Sequence, residues 1–113
     1  MKEGDVLLAA LRQADGQVKD RPVVLLKRMP PFQDFLVCGV STQVQHMVEG
    51  FDELITPDDE DFRASGLKAV SVIRIGYLAV LPRSQFKGRI GCISRARLSG
   101  LLTALAEFLR PKA

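Results

Sequence analysis

The chain has 113 residues, enough for one domain whose core forms without disulfide or metal staples. Hydrophobic residues make up 47% of it and charged residues 26%, which excludes a disordered or collagen-like chain. No uncharged apolar stretch approaches the roughly 18 residues of a membrane-spanning helix, and the acidic first residues do not resemble a signal peptide. Cys38 and Cys92 lie in apolar segments, so we expect buried, reduced thiols in a cytoplasmic protein.

The charges are distributed unevenly along the chain. Its net charge is only +3, but residues 1–62 carry 6 basic and 12 acidic side chains, whereas residues 63–113 carry 10 basic side chains and one acid, Glu107. A basic half-chain indicates a partner of opposite charge, such as nucleic acid or an acidic peptide. The alternative is that the two halves fold together and neutralise each other.

Apolar and β-branched runs separated by turn signals predict five or six short strands. The runs lie at 6–11, 22–26, 34–40, 53–56, 71–81 and 89–93. Residues 12–20 are predicted to be a polar loop, 44–52 to be irregular, and the acidic run 58–61 to be a solvated turn. Gly76, inside the longest run, indicates a bulge or a close backbone approach.

The end of the chain is predicted to form an amphipathic helix. Ser94 is its predicted N-cap and Pro111 marks its end, and one face carries leucines at helical spacing: Leu98, Leu101, Leu102, Leu105 and Leu109. Several short strands and one terminal helix indicate a mainly β fold, a small curled barrel with the helix packed on it. We expect a single domain over 1–113.

The common active-site motifs are absent from the sequence, and a single histidine, His46, cannot build a metal cluster, so no metal site and no cofactor is predicted. Arg21 ends a polar loop, and Ser41 ends the next strand. If these two strands form an antiparallel hairpin, both residues lie at the same end of it. A guanidinium beside a hydroxyl suits a phosphodiester, because the cation stabilises the charge of the phosphorane. The alternative is that Arg21 pairs with Asp20 and the hydroxyls cap a turn.

An ordered set of short blocks gives the chain a resemblance to a known family. The blocks are Gly4-Asp5-Val6, Arg21–Leu26, Val40–Gln43, Leu54–Pro57, Gly66-Leu67-Lys68, Ser71–Arg74 and Gly88–Gly91, followed by the helix. In this order the chain resembles the MazF/PemK toxins of bacterial type II toxin–antitoxin pairs over essentially its whole length.

The resemblance implies a homodimer of SH3-like barrels, each with a C-terminal helix. It implies a metal-independent, sequence-selective endoribonuclease that cleaves single-stranded RNA such as mRNA, leaving 2′,3′-cyclic phosphate and 5′-OH ends. It also implies a cognate antitoxin, whose acidic segment covers the basic groove.

The family's catalytic arginine corresponds to Arg21 and its hydroxyl to Ser41, with Thr42 as the alternative. Strand alternation prevents both hydroxyls from facing the same way. The second arginine of the PemK branch corresponds to Arg74, expected to bind RNA or to take part in catalysis. Lys19 and Gln43 are the other expected RNA-binding residues.

The chain departs from the PemK branch at Gly76, where an aspartate is frequent, at the histidine-free segment 12–20, and at Ala69-Val70. These departures concern the acid–base residues of the PemK branch and leave the pair Arg21 and Ser41 untouched. Gly76 and Ala69-Val70 motivate an alternative, a catalytically silent barrel that binds RNA or an antitoxin-like peptide. A further alternative is a CcdB-like gyrase inhibitor. That group ends in an aromatic-polar pair, whereas this chain ends Arg110-Pro111-Lys112-Ala113.

Overall fold

The computed structural model describes residues 1–112, which form a six-stranded antiparallel sheet and two helices. The strands are β1 (Asp5–Arg12), β2 (Val18–Met29), β3 (Asp34–Ser41), β4 (Glu53–Ile55), β5 (Ser71–Leu81) and β6 (Phe86–Cys92). The helices are α1 (Phe62–Ser65) and α2 (Arg95–Leu109), and 3-10 turns occupy Val44–His46 and Arg83–Gln85. The strand order is β4-β5-β3-β2-β1-β6. The predicted mainly β fold with a C-terminal helix is therefore confirmed.

The central strands bury side chains on both faces of the sheet, so they are apolar without alternation. Val24 and Leu26 of β2 point to the face that packs against Leu101 and Leu105 of α2, and all four are buried. The intervening Leu25 points to the other face, into a smaller core with Leu7, Val23, Phe35 and Val37. Two cores explain why 22–26 is one continuous apolar run.

Helix α2 begins at the predicted N-cap. The Ser94 side-chain oxygen accepts a hydrogen bond from the Arg97 backbone N–H at 3.1 Å, which satisfies one free donor of the first turn. The leucine stripe is buried in the middle of the helix, but Leu109 at its end is 65% exposed. Within residues 1–112, no helix has the length and apolarity needed to cross a membrane.

Strand β2 begins earlier than predicted, which corrects the expected loop at 12–20. Lys19, Asp20 and Arg21 pair with β1, and only the segment between Arg12 and Val18 turns. Backbone pairing with β1 extends β2 through this polar segment. Polar side chains are tolerated there because they are exposed to solvent. Arg21 is therefore a strand residue with a defined direction.

The expected solvated turn at 58–61 is found at Asp58 and Glu60, which are exposed, but is wrong for Asp61. Asp61 is buried, and it accepts hydrogen bonds from the Arg97 Nε at 2.8 Å and from the Ser94 backbone N–H at 2.9 Å. The Arg97 guanidinium also lies 3.0 Å from Glu53 and 3.5 Å from Asp59. These acidic side chains join β4 and the segment before α1 to the start of α2.

The protonation of this Arg97 cluster follows from burial and pairing. Burial opposes the charge of Asp61, but the hydrogen bonds from Arg97 and Ser94 outweigh it and lower the pKa of Asp61. For Glu53, burial prevails over Arg97, and the pKa is raised. Burial also opposes the charge of Arg97, yet Asp61 and the other acids raise its pKa. Arg97 therefore stays charged in its half-buried position.

Strand β5 contains a bulge at the position where Gly76 indicated one. The β3–β5 ladder passes from the pair Gly39–Arg74 to the pair Cys38–Leu78, a step of one residue on β3 and four on β5. The three residues between Arg74 and Leu78 therefore lack partners of their own. The predicted bulge is confirmed.

The bulge is also held by the loop before β4. The Ile75 backbone N–H donates to Asp52 Oδ1 at 3.2 Å, and the ring of Phe51 passes 3.1 Å from the position that a Cβ would take on Gly76. The neighbour that approaches Gly76 is thus a side chain, whereas the alternative offered from the sequence was a close backbone approach. A larger residue at this position would have to displace the Phe51 ring.

Both cysteines are free, as predicted. Cys38 is completely buried, and burial raises the pKa of its thiol to about 12, so it behaves as a small apolar core residue. Cys92, on the outer strand β6, is only half-buried, which corrects the expectation that both thiols are buried.

Candidate functional site

A groove of about 700 Å³ opens where β2 and β3 separate. The β2–β3 ladder ends at the pair Val23–Gly39, so the two strands diverge beyond it. The segment before β5 forms another wall of the groove. The residues singled out from the sequence that line it are Arg21, Ser41, Thr42, Gln43, His46 and Arg74.

Arg21 and Ser41 each lie two residues beyond the last β2–β3 pair, on the same face of their strands. Val23 is opposite Gly39, and two further residues along each antiparallel strand lead to Arg21 and Ser41. Because residues two apart share a face, both side chains point to the side of Val23 and Gly39. Both side chains line the groove, at the same end of the hairpin.

The Ser41 hydroxyl also has a local role. Its oxygen accepts a hydrogen bond from the Gln43 backbone N–H at 3.0 Å, so it caps the turn after β3, as the structural alternative expected. A hydroxyl that accepts one bond still has its own proton to donate to a ligand. Thr42 lines the groove as well, from the next position on the turn.

Among the described residues, Arg21 has no protein partner that competes with a ligand. Within residues 1–112 it takes part in no ion pair, and its side chain is exposed. Asp20 precedes it on β2 and therefore points to the opposite face. The expected alternative, an Arg21–Asp20 pair, is not formed.

Lys68 and Tyr77 also line the groove, and neither was singled out from the sequence as a site residue. Lys68 belongs to a segment without regular structure, whose path depends on contact with β6. Gly66 has a φ of +76°, and a Cβ there would collide with the carbonyl oxygen of Ile90. The block Gly66-Leu67-Lys68 was one of those that carried the family resemblance, but no local pattern predicts where this segment packs.

Lys19, expected to bind RNA, does not line the groove. It lies two residues before Arg21 on β2, opposite Leu11, so it is on the face of Arg21 but beyond the groove. His46 is exposed and does line the groove, in the 3-10 turn after β3.

The groove suits an anion. Among the described residues that line it, Arg21, Lys68 and Arg74 are cationic and none carries a carboxylate. Hydroxyl and amide groups lie between these cations. In the described part of the chain, no three His, Cys, Asp or Glu side chains are grouped to hold a metal ion. Guanidinium, ammonium and hydroxyl groups are the donors that phosphate esters bind.

The chain belongs to a toxin family with this fold. A sequence model described as "PemK-like, MazF-like toxin of type II toxin-antitoxin system" matches residues 2–109, which confirms the predicted family. Among solved structures, the chain is similar to the Mycobacterium tuberculosis toxin MazF-mt6. The two are 21% identical over 91% of this chain and 93% of that one, with a TM-score of 0.67. This likeness confirms the predicted SH3-like fold class. No curated protein sequence matches the chain significantly.

Proposed function

We propose that this chain is a metal-independent, sequence-selective endoribonuclease that acts as the toxin of a toxin–antitoxin pair. The observation that carries the proposal is the groove, in which Arg21 and Ser41 share one face beside two further cations and no carboxylate. Membership of the family supports the general class. A hard divalent cation prefers carboxylate and carbonyl oxygens, and the described residues that line the groove offer it no carboxylate.

In this proposal the substrate supplies its own nucleophile. The ribose 2′-OH attacks the adjacent phosphorus, its proton is removed, and the bond to the 5′-oxygen breaks. The products are a 2′,3′-cyclic phosphate and a 5′-OH, which gains a proton. Arg21 stabilises the added negative charge of the phosphorane, and Ser41, with Thr42 as the alternative, orients the scissile phosphate. Arginine is a poor base, so the proton passes to water or to His46.

The remaining groove residues bind the RNA chain. Arg74 and Lys68 contact phosphates on either side of the scissile bond, and Gln43 has an amide that can read a base edge. Lys19 extends the positive surface beyond Arg21. The cognate antitoxin covers the same cations with an acidic segment, and two chains form the active homodimer. Messenger RNA as substrate assigns the activity to the cytoplasm.

The first test is Arg21→Ala. A long single-stranded RNA is incubated with purified, antitoxin-free protein in excess EDTA, and fragment ends are analysed chemically. Wild type is expected to release discrete fragments with 2′,3′-cyclic phosphate, and Arg21→Ala to be slower by roughly 100-fold or more, because it removes a transition-state charge partner. Arg83→Ala is the matched control, since Arg83 is exposed outside the groove.

Each other result of these experiments contradicts a specific part of the proposed function or supports one of the alternatives. Equal rates for wild type and Arg21→Ala contradict the assignment of Arg21. Activity that EDTA abolishes contradicts a metal-independent mechanism. Intact RNA with folded wild type, together with salt-sensitive RNA binding, favours the catalytically silent barrel. Inhibition of gyrase supercoiling by the purified protein supports the CcdB-like alternative.

A further inference from the structure

Tyr77 is an exposed aromatic side chain in the wall of the groove. It is 43% exposed and lies in the bulge of β5, next to Arg74, whose guanidinium carbon is 5.9 Å from the ring centroid. Tyr77 is the only Phe, Tyr or Trp among the described residues that line the groove. The chain contains no tryptophan and no other tyrosine.

The bulge places Tyr77 on the face of Arg21 and Ser41. In a regular strand, Tyr77 is three residues after Arg74 and points to the opposite face. Here Arg74 pairs with Gly39 and Leu78 pairs with Cys38, so Tyr77, just before Leu78, also reaches the level of Gly39. Between these two pairs β5 advances three residues more than β3. An odd number of extra residues reverses the face on which the next side chain of β5 lies.

Gly39 leaves room for the ring of Tyr77. A Cβ on Gly39 would lie 2.7 Å from Tyr77 Cδ2 and 3.3 Å from Cγ, so the ring rests directly on the backbone of β3. One side of the ring is thereby supported, and the remainder is open to the groove. This arrangement resembles neither a core aromatic nor a ring extended freely into solvent.

The ring is one nucleotide's reach from the proposed reaction site. Gly39 precedes Ser41 by two strand residues on the same face, a rise of about 7 Å. A nucleotide whose phosphate lies between Arg21 and Ser41 can therefore extend its base over Tyr77. Proteins that bind single-stranded RNA commonly stack unpaired bases on exposed aromatic rings in this way.

We propose that Tyr77 is the stacking platform for the RNA base adjacent to the scissile phosphate, and that the β5 bulge and Gly39 position it. The proposal deepens the proposed function and rests on the groove's binding RNA. Stacking accepts any base, so Tyr77 contributes affinity and orientation, while sequence selectivity comes from hydrogen-bonding groups around it.

The intrinsic fluorescence of Tyr77 reports the proposed contact directly, because it is the only tyrosine and tryptophan is absent. The probe is a short 2′-O-methyl oligonucleotide of mixed sequence, which lacks the attacking hydroxyl and cannot be cleaved. Binding is expected to quench the emission. An abasic oligonucleotide of equal length is expected to bind through its phosphates with much less quenching. N-acetyltyrosinamide corrects for light absorbed by the bases.

Variants separate the ring from the hydroxyl. Tyr77→Phe keeps the ring and is expected to bind the probe within about twofold of wild type, whereas Tyr77→Leu binds roughly 5- to 100-fold more weakly. Phe32→Leu is the matched control, since Phe32 is 82% exposed and does not line the groove. Gly39→Ala displaces the ring and is expected to reduce quenching with Tyr77 still present. Thermal unfolding verifies that each variant folds.

The outcomes separate this proposal from the proposed function. If wild type cleaves RNA but the bound probe leaves Tyr77 emission unchanged, or if folded Tyr77→Leu binds as wild type does, stacking is wrong and the endoribonuclease stands. If the probe quenches wild type and RNA stays intact, stacking is supported and the chemistry is wrong. If wild type binds no probe and cleaves no RNA, both are wrong. If Tyr77→Leu does not fold, the stacking proposal is still tested by the quenching of wild-type emission and by the affinity of Tyr77→Phe for the probe.

Discussion

Single glycines shape the groove because they permit backbone contacts that a side chain would block. Gly66 combines a left-handed φ of +76° with direct packing against the Ile90 carbonyl, and it begins the segment that carries Lys68. Gly16, in the turn between β1 and β2, has a similar φ of +86°, but no atom beyond its chain neighbours lies within 4 Å of the position that a Cβ would take. The two positions therefore share a backbone conformation and differ in crowding.

This difference predicts unequal costs for the same substitution. Gly16→Ala is expected to lower the free energy of unfolding by about 1 kcal/mol, the cost of a left-handed alanine. Gly66→Ala is expected to cost about 2 kcal/mol more, because β6 must also move. Urea unfolding of both variants measures the difference. Equal losses would show that β6 moves aside without cost.

Charged side chains connect distant elements around the start of α2. Arg97 bonds Asp61, which precedes α1, and Glu53 of β4, so one guanidinium joins three parts of the chain. Arg97 occupies the position where a capping box places an acid. Here the backbone N–H of Arg97 bonds the Ser94 cap while its side chain turns to acids from elsewhere.

We predict that Arg97→Met destabilises the fold, because it leaves buried Asp61 and half-buried Glu53 without their cation. The expected loss is about 2–3 kcal/mol of unfolding free energy, below the range for fully buried pairs since the cluster is partly solvated. Arg95→Met is the control on the same helical turn, exposed and expected to change stability by less than about 0.5 kcal/mol. Chemical denaturation provides the measurement. A loss no larger than that of Arg95→Met would mean that the cluster adds nothing to stability.

Over the whole molecule, the uneven charge of the sequence is partly neutralised and partly kept. Arg89 with Asp5 at 3.1 Å, and Arg97 with Asp61 at 2.8 Å, join the basic second half to the acidic first half. The groove cations form no such pairs among the described residues. Mutual neutralisation therefore accounts for part of the charge pattern, and the unpaired groove cations stay available for the anionic partner that we propose.

The unpaired groove cations predict the salt dependence of binding to a single-stranded probe. Three phosphate contacts correspond to a slope of log affinity against log salt of roughly −2, at about −0.7 per contact. Lys68→Ala is expected to reduce the slope to about −1.4. Lys87→Ala, exposed and outside the groove, is expected to leave it unchanged. Fluorescence anisotropy of the labelled 2′-O-methyl oligonucleotide measures the slopes. An unaltered slope for Lys68→Ala would show that RNA does not follow that wall.

Much of the fold was predictable because its signals are local. Apolar runs marked the strands, leucine spacing marked α2, Ser94 marked its cap, and Gly76 marked the bulge. Arg21 and Ser41 could also be paired in advance, because a hairpin needs only the order and direction of two neighbouring strands.

The errors and omissions concern contacts between distant residues. Pairing with β1 extends β2 through polar residues, Arg97 draws Asp61 into the interior, and contact with β6 directs Lys68 into the groove. Tyr77 enters the groove only because a shift in the β3–β5 ladder reverses its direction. Sequence periodicity records which face a residue takes within its own element. Which elements meet, and at what register, depends on the packing of the whole chain, and at this groove that packing selects the residues available to a ligand.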